Sequence, residues 1–305
     1  MMNKDRAMGA ILGLATGDAL GAPVEFYQRG RFTPLTGLRD GGKFKMQLGE
    51  WTDDTAMSLC LAESLIECNG LDPEDQMNRY WRWGNEGLHS TRSHAFGVGK
   101  TVARALGNYK KTGNPYSGSI DPRTAGNGSI MRLAPVIIFY GHNYQQAIHN
   151  AVESSRTTHQ APECLQCCAL LAHILFVTLQ NDKPRKEALL EGFDLSDATS
   201  VVQSVIRRDY LSKSESQIKG SGYVVESLEA ALWAFETTDT YADAVLKAAN
   251  LGDDADTTAA VCGQIAGAYY GLQGIPESWL DVLFEWQKLE SIAVRLFDRS
   301  MQSLS

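Results

Sequence analysis

The sequence predicts an all-α protein. Apolar residues recur at three-four spacing in one segment after another, strand-like alternation is scarce, and glycines fall on every fourth position in two distant stretches. With 305 residues, 44% of them hydrophobic, the chain can fill one sizeable core, so a single domain over residues 1–305 is expected.

The first predicted helix lies in the apolar stretch 8–20, which carries Gly9, Gly13, Gly17 and continues to Gly21. Its counterpart near the other end carries Gly263, Gly267 and Gly271. Inside a helix each glycine costs roughly 1 kcal/mol relative to alanine, so two such ridges need a compensating reason. A flat ridge along the i±4 row lets another helix approach closely, and that is the reason the spacing suggests. One ridge stands just before Glu25 and the other just after Asp256, so packing them together brings two acidic segments into one cleft.

Between the ridges, Ala56, Met57, Cys60, Leu61, Ser64 and Leu65 mark a helix. The same spacing marks 161–179, 223–235, 241–249 and 259–272, whereas Val136-Ile137-Ile138-Phe139-Tyr140 fits a helix or a strand. Gly41-Gly42, Gly113-Asn114-Pro115, Gly126-Asn127-Gly128 and Gly220-Ser221-Gly222 mark loops. The polar stretch 181–221 reads as a surface excursion within the helical domain.

A net charge of −8 without a basic stripe argues against nucleic acid as a partner. No run of about eighteen uninterrupted apolar residues occurs, so no membrane span is expected. Met8–Leu20 carries Asp18 and is dense in glycine, unlike a signal peptide. The six cysteines, with Cys164, Cys167 and Cys168 in an apolar helical run and no second pair for zinc, read as buried thiols. A cytoplasmic location is expected.

Two short clusters carry the chemistry: Thr52-Asp53-Asp54-Thr55 and Asp253-Asp254-Ala255-Asp256-Thr257-Thr258. Each precedes an apolar helical run. Asp and Thr are favoured helix caps, which accounts for either cluster alone. Two clusters of the same make-up, with Glu25 nearby, point instead to hard oxygen ligands for Mg²⁺, Mn²⁺ or Ca²⁺. That many oxygens suit two ions sharing bridges better than one octahedral ion that keeps its waters. An EF-hand is excluded because its glycine and terminal glutamate are missing at loop spacing.

Gly97-Val98-Gly99-Lys100-Thr101 ends like a phosphate-binding P-loop, but that motif needs glycine where His94 stands. As a turn opening the helical run Val102–Leu106, it still offers backbone N–H groups to a phosphate. An isoprenoid-synthase motif, Asp-Asp-x-x-Asp, fails at Met57.

Several segments, in order, carry a family resemblance. They are Gly13-Leu14-Ala15-Thr16-Gly17-Asp18-Ala19-Leu20-Gly21-Ala22 with Glu25, Trp51-Thr52-Asp53-Asp54-Thr55, and Gly126-Asn127-Gly128-Ser129-Ile130-Met131-Arg132. Thr158-His159, Gly222-Tyr223-Val224-Val225, Leu232-Trp233-Ala234-Phe235 and Asn250-Leu251-Gly252-Asp253-Asp254-Ala255-Asp256-Thr257 follow. The set resembles the ADP-ribosylglycohydrolase family, particularly its bacterial members of the dinitrogenase-reductase-activating and ADP-ribosylarginine hydrolase kinds. The resemblance implies a roughly orthogonal multi-helix bundle with two divalent cations, Mg²⁺ or Mn²⁺, in a cleft.

By that resemblance Thr52, Asp53, Asp54, Asp254, Asp256 and Thr257 are metal ligands. Glu25, Asp54 and Asp254 are catalytic, with Glu25 gating the cleft or activating water. Gly99, Asn127, Gly128 and Ser129 line the pyrophosphate or ribose, His159 contacts ADP-ribose, and Tyr223 stacks on adenine. The implied substrate is an ADP-ribosylated protein, most readily ADP-ribosyl-arginine, and the product is ADP-ribose. A non-catalytic binder of ADP-ribose or of a modified protein is the alternative. One departure stands out: Gly97 and Lys100 occupy positions where related bacterial enzymes carry an acid and an amide.

Overall fold

The computed structural model describes residues 2–180, 184–194 and 196–302, so the excursion 181–221 is described except for 181–183 and 195. The helices are α1 (Lys4–Gly21), α2 (Asp53–Cys68), α3 (Pro73–Glu86), α4 (Lys100–Thr112), α5 (Ala134–Phe139), α6 (Tyr144–Arg156), α7 (Pro162–Gln180), α8 (Ser200–Ile206), α9 (Val224–Glu236), α10 (Tyr241–Ala249), α11 (Ala255–Tyr270), α12 (Glu277–Leu280) and α13 (Trp286–Gln302). Short 3₁₀ turns link several of them. Among the described residues, extended pairing is limited to isolated bridges such as Gln28 with Gly252 and Gly126 with Tyr223. The fold is all-α.

The runs read from spacing fall on α2, α7, α9, α10 and α11, and the ambiguous segment 136–140 joins α5, which opens with Pro135 in its first turn. The spacing marks neither the short α8 and α12 nor the longer α3, α6 and α13. Each of the longer three buries only a narrow stripe, as with Gln76, Met77, Tyr80 and Trp83 in α3.

The centre of the molecule is the antiparallel pair α1 and α11, both buried along most of their length. A Cβ on Gly13 would land on the carbonyl oxygen of Gly263, and one on Gly267 would land on that of Gly9. Nearer the site, Gly17 and Gly21 abut the backbone of Ala259 and Ala255 in the same way. The glycine ridges are therefore backbone-to-backbone contacts, and this register sets the C-terminal end of α1 against the first turn of α11. Helices α7, α9 and α10 pack around α11, while α2, α5 and α13 pack around α1. Lys4–Val24 and Pro162–Gln180 have the length and apolarity of a membrane span, but 94% and 67% of their apolar windows are buried inside this fold. Both lie in the core.

A second apolar cluster, Ala56, Met57, Cys60, Met77, Tyr80, Trp83, Val102, Leu106 and Met131, ties α4 to α2 and α3. It holds the N-terminus of α4 where residues 97–101 form one wall of the cleft described next.

Candidate active site

Helix α2 begins with Thr52 as N-cap and α11 with Asp254, yet neither side chain caps its own helix. That removes the simplest alternative account of the acidic clusters. The cap of α2 comes from α1: Asp18 Oδ1 accepts from the Thr52 N–H at 2.9 Å, and Oδ2 accepts from the Thr55 N–H at 3.0 Å and its hydroxyl at 2.6 Å. The Thr52 hydroxyl is thereby held 2.9 Å from Asp18 Oδ1 and 3.4 Å from Asp256 Oδ2.

On the opposite side, Asn127 donates to Asp254 Oδ2 at 2.7 Å, and the Asp254 N–H is bonded to Gly220 O at 2.8 Å. Thr257 donates to Asp54 Oδ1 at 3.2 Å, joining the two helix starts directly. Glu25 is placed by a backbone clip. The Phe26 N–H donates to Asp253 O at 2.7 Å, and the Asp253 N–H to Tyr27 O at 2.8 Å. Phe26 and Asp253 both take left-handed backbone angles, with φ of 66° and 55°, to make this clip.

As a result, carboxylate oxygens of Glu25, Asp254 and Asp256 lie within 4.8 Å of one another. Glu25 Oε2, Asp54 Oδ2 and Asp256 Oδ1 are buried and have no hydrogen-bond partner. Burial and mutual repulsion push the carboxyls of Asp53, Asp54 and Asp256 well up, and burial raises Asp254 against the lowering effect of its hydrogen bonds. Burial, then the Asp254 charge, raises Glu25 to about 8; burial raises Asp18 to about 6 against the lowering effect of its hydrogen bonds. Buried carboxylates with unpartnered oxygens call for a cation, and an all-oxygen donor set suits a hard divalent one.

The cluster forms the floor of a cleft of about 240 Å³. Of the residues expected from sequence, Glu25, Asp53, Gly99, Asn127, Gly128, His159, Asp254, Asp256 and Thr257 line it. Thr52 and Asp54 are buried beneath this floor, in the contacts just described.

Two expected substrate contacts face elsewhere. The Ser129 hydroxyl is buried 3.4 Å from Cys168 Sγ on α7. Tyr223 lines a separate depression with Lys213, Lys219 and Glu226. Lys100 is exposed but belongs to the cleft wall. Gly97, at φ 77°, is pressed against Asp53 so closely that a side chain there would meet the Asp53 carboxylate.

Asp18 was not expected in the site. Its sequence signals are its place in the first segment of the family resemblance and its charge inside an otherwise apolar, glycine-spaced helix. Arg132 and Thr158, behind His159, lie in segments that carry the family resemblance, but nothing in their spacing marks them as site residues.

The fold and site define an α-helical protein whose buried, carboxylate-lined cleft is suited to a divalent cation. The ADP-ribosylglycohydrolase family profile matches residues 2–304, and the chain belongs to that family. It is 42% identical to the ADP-ribosylarginine hydrolase Tri1 of Pseudomonas putida (strain GB-1), over 98% of this chain and 79% of that protein. It is 31% identical to the ADP-ribosyl-[dinitrogen reductase] glycohydrolase of Rhodospirillum rubrum, over 92% and 90% of the two chains. A solved structure titled "ADP-ribosylglycohydrolase-related protein complex" superposes with a TM-score of 0.87 at 42% identity, covering 98% of this chain and 99% of that one.

Proposed function

We propose that this chain is a metal-dependent hydrolase that releases ADP-ribose from ADP-ribosylated arginine in proteins. The observation that carries the proposal is the convergence of Glu25, Asp254 and Asp256, with unpartnered buried oxygens on Glu25, Asp54 and Asp256. Relatives named ADP-ribosylarginine hydrolase, 40–42% identical over nearly the whole chain, support arginine as the modified side chain.

In this reading Thr52, Asp53, Asp54, Asp254, Asp256 and Thr257 hold two cations, Mg²⁺ or Mn²⁺. When bound, they supply charge that anchors substrate oxygens and makes water more acidic. The protein's own groups do the rest. Asn127 fixes Asp254, and Asp18 fixes Thr52 and the start of α2. Glu25, which lines the cleft and has Oε2 buried without a hydrogen-bond partner, holds and orients the attacking water. Water adds its oxygen to the anomeric carbon, the bond to the guanidine nitrogen breaks, and that nitrogen leaves with a proton. The backbone turns at Gly99 and Gly126–Gly128 line the diphosphate and ribose. Cleft-lining Glu25 and Asp53 complement a guanidinium without an acid at position 97. Six unpaired thiols, five of them buried, support a reducing, intracellular setting.

The test is release of ADP-ribose from arginine-linked and serine-linked modified proteins, with Mn²⁺ or Mg²⁺ and then with EDTA. Metal-dependent release from arginine is expected. No release from either substrate would leave the non-catalytic binder as the better reading.

A further inference from the structure

His159 is buried, lines the cleft, and is held from behind by two residues with no assigned role. Its ring lies close against the glycine turn: a Cβ on Gly128 would come within 2.7 Å of Cε1, and one on Gly126 within 3.4 Å of Nε2. Behind the ring, Arg132 donates from Nη1 to Gly128 O at 2.6 Å and from Nη2 to Thr158 Oγ1 at 2.7 Å. Thr158 Oγ1 lies 2.8 Å from His159 Nδ1.

The direction of that last bond follows from the donor inventory. A guanidinium has only N–H donors, so Thr158 must accept from Arg132. Thr158 is fully buried, and among the described hydrogen bonds its own proton has one acceptor in reach, His159 Nδ1. A ring protonated at Nδ1 would leave the threonine proton unpaired in a dry site, which is unfavourable. We propose that Arg132 and Thr158 are positioning residues that hold His159 as the neutral Nε2–H tautomer, a fixed donor aimed into the cleft at an oxygen of the bound ADP-ribose.

The electrostatics agree. Burial, reinforced by the Arg132 guanidinium, pushes the imidazole down to about 3, so the ring stays uncharged wherever free histidine would titrate. An uncharged N–H binds a hydroxyl or phosphate oxygen. It does not draw the ring toward the acidic floor, as an imidazolium would. His159 is thus a binding group with one permanent polarity and is not a proton shuttle.

The inference rests on the proposed function for the identity of the ligand, but the tautomer is measurable without any ligand. Two-bond ¹⁵N–¹H correlation spectra of the ¹⁵N-histidine-labelled protein should show His159 protonated at Nε2 alone, unchanged across the range where exposed histidines titrate. Thr158→Val should mix the two tautomers and weaken ADP-ribose binding about tenfold by calorimetry, and Thr158→Ser should restore both. An Nδ1–H or doubly protonated ring in the wild-type protein would overturn the relay, and so would a single Nε2–H form retained in a folded Thr158→Val variant. If Thr158→Val does not fold, the wild-type spectrum and the Thr158→Ser variant decide. The expected tautomer in a protein that does not bind ADP-ribose would support the relay and overturn the proposed function instead.

Discussion

Asp18, on α1, caps the helix that begins at Thr52: its carboxylate accepts the Thr52 N–H at 2.9 Å and the Thr52 hydroxyl at 2.9 Å. The start of α2 is therefore held by a residue from the central helix. Asp18→Ala is expected to leave those donors unpaired and cost about 2–4 kcal/mol of stability, read from urea unfolding. Asp18→Asn, which keeps one acceptor oxygen, should cost less. A loss below about 0.5 kcal/mol in the alanine variant would contradict the capping role.

Removing a carboxylate from the cluster should separate stability from metal binding. Asp256→Ala or Asp54→Ala is expected to abolish turnover while the cation-free protein melts at or above the wild-type temperature, because like-charge repulsion has been relieved. The rise in melting temperature on adding Mn²⁺ should disappear. Undiminished ADP-ribose release by either variant would rule out the ligand assignment.

Asn127 holds Asp254 from outside the cluster, at 2.7 Å. Partners that orient a ligand commonly change metal affinity by about 10–100-fold when removed. Asn127→Ala should weaken Mn²⁺ binding within that range in a calorimetric titration while the fold is retained.

The pH dependence of the cation-free protein follows from the raised carboxyls. Burial raises Glu25 to about 8 and Asp18 to about 6 in the folded chain, whereas unfolded carboxylates titrate at about 4. Between those values the folded chain holds protons that the unfolded chain has released, so stability falls as pH rises from about 4 to about 8. Bound cations favour the deprotonated forms and should reverse this slope. Thermal melts across pH, with EDTA or with saturating Mn²⁺, measure both. Cation-free stability that rises over this window would contradict the burial of these groups.

The helix pair can be tested with two glycines. Gly13→Ala places a methyl on the Gly263 carbonyl and should force α1 and α11 apart, at a cost of about 3 kcal/mol or more. Gly107, within α4, has open space where its Cβ would be, so Gly107→Ala should stabilise by about 0.5–1 kcal/mol. Equal effects would mean that the ridge is not a close contact.

Much of this protein is legible in its sequence. Three-four periodicity is a local property, and it located α2, α7, α9, α10 and α11. Glycines on every fourth position can be read in the same way, because only a close neighbour offsets their cost in a helix; α11 is that neighbour for α1. The acidic clusters identified the helix starts that meet, and the ordered motifs identified the family.

Tertiary packing decided what each side chain at those starts does. Thr52 and Asp254 look like caps in sequence, but Asp18 and Asn127, distant in the chain, turn them to other partners. The same packing turned Ser129 toward Cys168 and Tyr223 toward a separate depression, and put Arg132 and Thr158 behind His159. The physical reason is that periodicity sets which face of a helix is buried, whereas a polar side chain turns to whichever donor or acceptor the fold brings within about 3 Å. Those partners come from other elements, so no local pattern in the sequence specifies them.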